Sequence, residues 1–443
     1  MLSLFRAASG FLLAAGLALA APLPAATAEP DSSASITEAV ARQASGDLRA
    51  FYSHLERPIW ITREGSLRPA AGELLRLIRT ADYDGLDPAR LGASELEAAV
   101  RSAQRERSPA ALAGAELALS RALAGYVEAM LALPAGAEMI YEHDVLRPIA
   151  PTGPTVLRSA AEASSIEGYV TGMRWMHPLY AEIRRNLTGG PVDPSLRQAA
   201  LASLQRLRAI PTPPWSRHVV IDAASARLWM YEGDRVVDSM RIVVGKADTP
   251  TPLMAGYLRQ AVLNPYWNVP EALVRKTIAA GVLGQGTGYL RARGYEVLSD
   301  WSDNPQRLDP ARIDWRAVAS GRRELRVRQN PGAANAMGDV KFEFPNPEGI
   351  YLHDTPDKDL LLADARQFSN GCVRLEDAER LGRWLLGGTM PSASNPETRI
   401  DLRQPVPIYI TYLTVQPDGD RLALGPDPYG RDGASRAGLA RAH

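Results

Sequence analysis

A chain of 443 residues with a single cysteine, Cys372, cannot staple itself covalently. Its opening, "MLSLFRAASGFLLAAGLALAAPLPAATAEP", sets Arg6 ahead of a short apolar run, Phe11 to Ala21, and a small-x-small triplet, Ala26-Thr27-Ala28. That pattern predicts a secretory signal peptide over 1–28, cleaved near Ala28, and therefore an exported chain. Exported domains often lean on disulfides. This one must instead bury apolar area, and about 415 mature residues suffice for two or three packed cores. The lone thiol is then an inert buried group, a partner for an intermolecular bridge, or a reactive nucleophile.

Fifty Lys and Arg balance fifty Asp and Glu, and no basic tract interrupts the chain, so neither nucleic acid nor an anionic membrane is an expected partner. The most apolar later stretch, Leu117 to Leu133, carries Arg121 and Glu128 and reads as a buried helix rather than a stable membrane span. Six scattered histidines lack paired spacing, so no metal site is expected.

The spacing predicts an α+β chain. Residues 29–210 read as an α-helical scaffold. "ASELEAAVRSAQ" suggests a capping box of Ser94 with Glu97, and Ser108-Pro109 an N-cap and first turn for a long Ala/Leu helix. At "PTPPW" (Pro211 to Trp215) the texture changes. Residues 216–415 alternate apolar and polar and read as a mainly β domain, with turns at Ala223-Ala224-Ser225 and Glu232-Gly233-Asp234. The prolines of "TPTPLMAGYLRQAVLNPYWNVP" predict edge strands and loops there. An irregular excursion over 271–338 predicts an inserted lid with Trp267 at its base. The tail, 416–443, reads as polar and loose.

Within the β domain stands "QFSNGCVRLEDAERL", and His353 ends the strand-like "GIYLH" upstream. A thiol needs a base or a positive field to become a thiolate near neutral pH. His353 is a candidate base, held on a rigid strand. Gly371 permits a sharp turn that aims backbone N–H groups at a developing oxyanion. The helical spacing of "LEDAERLGRWLL", with Glu376, Asp377 and Glu379 in its first turn, places Cys372 just ahead of a helix N-terminus. Read singly, the Cys is a small buried hydrophobe and the His a satisfied strand-end residue. The contiguous block Ser369-Asn370-Gly371-Cys372-Val373-Arg374 downstream of a histidine favours chemistry.

His353, fifteen intervening residues, then Ser369-x-Gly-Cys-Val-Arg374 resembles the active-site signature of the L,D-transpeptidases, with their YkuD-type catalytic domain. "VLNPYWNVP" and the long run from Arg328 to Ala378 are similar to the long Gram-negative, YcbB-like branch. The resemblance covers about Arg217 to Val415. Asn370 stands where many members carry His, and little room is left for the peptidoglycan-binding module common in that branch. It implies a periplasmic enzyme of peptidoglycan biosynthesis that needs no cofactor and acts on tetrapeptide stems through a cysteinyl thioester. The products would be 3-3 cross-links or exchanged D-amino acids. Cys372 would be the nucleophile and His353 the proton shuttle. Gly371, Ser369, Asn370, Arg374, Tyr351 and Trp267 would serve the oxyanion or the substrate, Arg374 equally by pairing with a carboxylate to fix the Cys loop. Other murein synthases are candidate partners. The alternatives are a murein cysteine amidase or peptidase, whose chains usually place Cys before His, and a catalytically dead murein-binding scaffold.

Overall fold

The computed structural model describes residues 32–134, 136–211 and 217–432; the expected signal peptide over 1–28 and residues 433–443 lie outside them. Among the described residues no helix is long and apolar enough to cross a membrane.

The scaffold is built from α1 (Ser32–Gln43), α2 (Gly46–Tyr52), α3 (Pro69–Arg79), α4 (Ala93–Glu106), α5 (Pro109–Leu131), α6 (Gly153–Glu162), α7 (Ile166–Thr171), α8 (Pro178–Thr188) and α9 (Pro194–Leu207). Five of these start with Pro in the first turn, where its missing N–H costs nothing. Ser108 caps α5, accepting from Ala111 N at 3.2 Å, as its position predicts. The expected capping box does not form. Gly92, in the left-handed region at φ 71°, is the N-cap of α4, so Ser94 falls inside the helix and Glu97 pairs with Arg101 instead.

At the scaffold's centre Asp84 is fully buried and accepts from Tyr126, Tyr180 and Arg184 at 2.7, 2.6 and 2.7 Å. Arg208 donates to the carbonyls of Ala129, Met130 and Ala132, closing the open C-terminus of α5.

The second layer is a closed mixed sheet. In chain order its strands are β1 (Ile140–Tyr141), which lies between scaffold helices, β2 (Arg217–Asp222), β3 (Arg227–Glu232), β4 (Arg235–Gly245) and β5 (Met254–Leu263). After the insert described next come β9 (Val340–Glu343), β10 (Leu352–His353), β11 (Gln367–Ser369), β12 (Val373–Leu375) and β13 (Thr398–Thr411). The order β5-β13-β2-β3-β4-β12-β10-β9 closes on itself because β9 also pairs β5. β5 is therefore an interior strand, not the edge its flanking prolines suggested; Pro250, Pro252 and Pro265 sit just outside its ladder. Helix α14 (Ala378–Leu386) packs on the barrel, capped by Asp377 and stopped by Gly387 at φ 70°.

The insert is a subdomain with its own sheet, ordered β6 (Trp267–Asn268), β8 (Arg326–Gln329), β7 (Tyr295–Leu298). Helices α10 (Glu271–Leu273) and α11 (Ala279–Gln285), joined by a π turn at Val274–Ile278, with α12 (Gly288–Ala292) and α13 (Trp315–Ala319), cover that sheet. Its core of Val274, Ile278, Leu290, Val297, Val318 and Val327 is separate from the core shared by scaffold and barrel.

The tail from Gln416, expected to be loose, is ordered to residue 432. The hairpin β14 (Val415–Asp418) and β15 (Arg421–Leu424) returns to the scaffold, where Asn186 Nδ2 donates to the carbonyls of Gly419 and Arg421 at 2.9 Å each. Arg206 pairs with Asp432 at 2.7 Å. Backbone groups of the hairpin thus find a partner on α8, and the Asp432 carboxylate beyond it one on α9, which the polar composition could not reveal.

Scaffold and barrel also meet at two fully buried histidines, His177 and His218, whose Nε2 atoms are 3.2 Å apart. Leu179 N donates to His177 Nδ1, so that ring carries its proton on Nε2 and gives it to His218. His218 then holds its own proton on Nδ1, which is buried and unpartnered, and its ring stacks on Tyr231 at 4.6 Å. Burial depresses His177 to about 3 and His218 to about 4, both neutral at pH 7. An unfolded His titrates near 6.5, so below that pH the unfolded state takes up protons the folded state refuses. The contribution of this pair to stability is expected to be flat above about pH 7.5 and to fall steadily between about pH 6.5 and 4. His218→Gln, which still accepts from His177, should lose less across that window in denaturant titrations.

Candidate active site

β10 and β12 run parallel and side by side, with Leu352 opposite Val373 and His353 opposite Arg374. Side chains alternate along a strand, so Leu352, Val373 and Leu375 point into the barrel, where all are fully buried. Tyr351, His353, Cys372 and Arg374 consequently share the outer face, on strands about 5 Å apart. On the other side of β10 the antiparallel pairing sets Lys341 opposite His353. The Lys341 ammonium is taken up by Glu343 and Glu397, so Arg374 is the cation that acts on the imidazole.

His353 is buried, and its Nδ1 lies 2.6 Å from the backbone oxygen of Asp354. A carbonyl oxygen only accepts, so Nδ1 carries the proton and Nε2 keeps the lone pair. Burial lowers the group to about 4; the Asp354 contact opposes the shift and Arg374 adds to it. At pH 7 the ring is a neutral base with a fixed tautomer.

Cys372 is half-buried, and its thiol donates to Gly349 O at 3.7 Å. Burial pushes the thiol up; the Tyr351 N–H and the Arg374 charge pull it partly back. Among the described residues no hydrogen bond joins the sulfur to His353, and the resting pair is thiol plus imidazole. The expected helix N-terminus is not behind the sulfur. Cys372 leads into β12, and α14 begins only at Ala378, so its dipole is spent on the Asp377 cap. Glu376 instead pairs with Arg241.

The loop before the sulfur is braced from several sides. Ser369 is buried; its hydroxyl donates to Cys372 O at 2.6 Å and accepts from Gly371 N at 3.1 Å. Gly371 sits at φ 117°, and a Cβ there would come within 3.1 Å of Ile350 Cδ1. Its N–H, expected to be free for an oxyanion, is thus taken by Ser369. The Cys372 N–H makes no hydrogen bond among the described residues and is the available donor. Lys246 N donates to Ser369 O at 3.0 Å, and Thr251 bridges from Gly245 N to Gly371 O at 2.9 and 2.8 Å.

Arg374 pairs with Asp357 at 3.2 Å, fastening the segment after His353. Asn370 is exposed beside the sulfur. Tyr351 is half-buried, with Lys341 Nζ 5.6 Å from its ring centre. Trp267 is not brought to the sulfur by any recorded contact; it opens β6 and faces Tyr295 within the insert, 6.3 Å between ring centres. Thr251 and Lys341 escaped the sequence reading, since only folding brings Thr251 under the Cys loop and Lys341 beside Tyr351; Asp354 escaped it because its backbone oxygen, not its side chain, acts on His353. Tyr429, from the segment expected to be loose, donates to Gly245 O at 2.7 Å and so reaches the same loop.

Residues 216–408 match the model of the YkuD L,D-transpeptidase catalytic domain, and residues 46–187 match a Scaffold domain. A Haemophilus influenzae protein, named as an L,D-transpeptidase by inference, is 29% identical over 286 residues. The match spans 62% of this chain and 57% of that relative's length. Among solved structures, a cysteine-to-serine variant of the Enterococcus faecium L,D-transpeptidase is 14% identical at TM-score 0.22, covering 49% of this chain and 61% of its own. The Mycobacterium smegmatis L,D-transpeptidase is 12% identical at TM-score 0.23, covering 44% of this chain and 58% of its own.

Two outcomes follow from this geometry. Alkylation of the resting thiol by iodoacetamide is expected to climb with a midpoint above the free-cysteine value of about 8.5, followed by intact mass against pH. Ser369→Ala, which releases both Gly371 N and Cys372 O, should slow acylation of Cys372 by about tenfold or more with the fold intact by circular dichroism.

Proposed function

Since the chain carries an L,D-transpeptidase catalytic domain at residues 216–408 and a Scaffold domain at 46–187, we propose that it is a peptidoglycan L,D-transpeptidase working through a cysteinyl thioester on tetrapeptide stems. The observation that carries this reading is the neutral His353, its Nδ1 held by Asp354 O, on the same sheet face as Cys372.

The chemistry follows from that pair. The unprotonated Nε2 takes the thiol proton as sulfur attacks the carbonyl preceding the terminal D-Ala of the donor stem. The tetrahedral oxyanion accepts from the Cys372 N–H, whose aim is set by the Ser369 and Thr251 bonds. Collapse expels D-Ala, whose nitrogen recovers the proton from the imidazolium, and leaves a thioester. An amine from a second stem or a free D-amino acid attacks next, gives a proton to Nε2, and restores the thiol. The imidazolium is short-lived in this sequence, because a group held near 4 returns its proton readily to an amine.

The subdomain between β5 and β9 is well placed in the chain to cover the donor stem and exclude water, which would favour amines over hydrolysis. Such a substrate requires export, the role read for residues 1–28. Further murein synthases would be working partners.

Cys372→Ala is expected to abolish 3-3 cross-links and D-amino acid exchange while the variant melts like the wild type. Incubation with murein, digestion and mass analysis of the muropeptides decides it, since 3-3 product from the pure variant would overturn the nucleophile. The wild type should gain one covalent carbapenem by intact mass, and Cys372→Ala none.

A further inference from the structure

Trp301 is 69% exposed, in the insert's loop 299–306, and it is not simply a stray surface residue. The loop is closed at its base by the bridge of Leu298 with Arg307 and by Ser299 N donating to Gln306 O at 3.0 Å. Inside it, Ser302 N donates to Asp300 Oδ1 at 2.8 Å, and Gln306 N to Ser299 Oγ at 3.0 Å. Arg326, at the start of β8, reaches across to donate to the carbonyls of Asp300 and Ser302 at 2.9 and 3.1 Å. Its guanidinium lies 4.8 Å from the indole centre. One indole face is thus backed by a cation and the loop is rigid. The residues flanking Trp301, from Ser299 to Asn304, are all exposed and polar. Asp303 and Asn304 make no hydrogen bond among the described residues.

A rigid aromatic face ringed by a carboxylate, an amide and hydroxyls suits one ligand chemistry. The C–H face of a pyranose carries slight positive charge and stacks on the negative π face, while its ring hydroxyls donate to carboxylate and amide oxygens. A peptide side chain would need an apolar wall, which this loop lacks. An anionic lipid surface would be repelled by Asp300 and Asp303. Arg326, which backs the indole, stands three residues along β8 from Gln329, about 10 Å along the strand from where β8 pairs with Trp267.

We propose that Trp301, with Asp303 and Asn304, is a glycan-binding platform on the insert, gripping the sugar backbone of the polymer whose stem enters the site. The inference rests on the polymer substrate proposed above but is tested without turnover. The full chain is titrated calorimetrically with peptide-free peptidoglycan glycan strands, and sedimented with vesicles of zwitterionic or anionic phospholipid. Wild type is expected to bind the glycan, Trp301→Ala about tenfold more weakly, and Trp301→Phe in between. Trp301→Ala should keep the wild-type rate on isolated stem peptides. Equal glycan binding by Trp301→Ala, no glycan binding by wild type, or a Trp301-dependent affinity for vesicles in its place would each overturn the platform. A wild type that binds glycan but forms no adduct at Cys372 would strike the transpeptidase reading alone.

Discussion

A carbonyl oxygen has no proton to give, and the 2.6 Å contact between Asp354 O and His353 Nδ1 therefore decides the state of the whole site. It fixes the tautomer and leaves Nε2 basic, while burial and the Arg374 charge keep the imidazole uncharged. The low proton affinity that burial imposes suits a shuttle better than a reservoir. A ring that held its proton tightly would stall with a thiolate beside it. Neutral thiol and neutral base cost less in a half-buried site than an ion pair, whose desolvation penalty is not repaid by attraction alone.

The barrel turns that pair into a working geometry by register. One residue of slip between β10 and β12 would send His353 inward and Leu352 outward, so the hydrophobic alternation and the chemistry enforce the same pairing. The Cys loop is held separately, by side chains that replace ladder bonds: Ser369 within the loop, Thr251 beneath it, Tyr429 behind Thr251. The scaffold supports all of this at a distance, sharing a continuous apolar core with the barrel and contributing β1 to its sheet.

Much of this was legible in the residues. Periodicity separated a helical half from a β half near Pro211, and the contiguous block from Ser369 to Arg374 picked out the loop and its histidine. What was not legible depended on pairing at long range. The prolines around β5 looked like edge markers because sequence does not show that β9 returns to close the sheet. "CVRLEDAERL" carries a helical period that includes Leu375, yet Val373 and Leu375 are claimed by β12, so the helix starts later and the dipole argument lapses. The polar tail from Gln416 gave no hint of order, because its partners Asn186 and Arg206 lie more than two hundred residues away.

β13 lies between β5 and β2, pairing antiparallel with one and parallel with the other, although the chain reaches it last of the barrel strands. Until it arrives, both neighbours present bare backbone along the segments it will cover, at the heart of the sheet rather than its margin. A nascent copy emerging from a ribosome must therefore wait, with two sticky strands uncovered, for a segment nearly two hundred residues downstream of β2. The window for wrong pairing during assembly is therefore set by how quickly that final piece arrives.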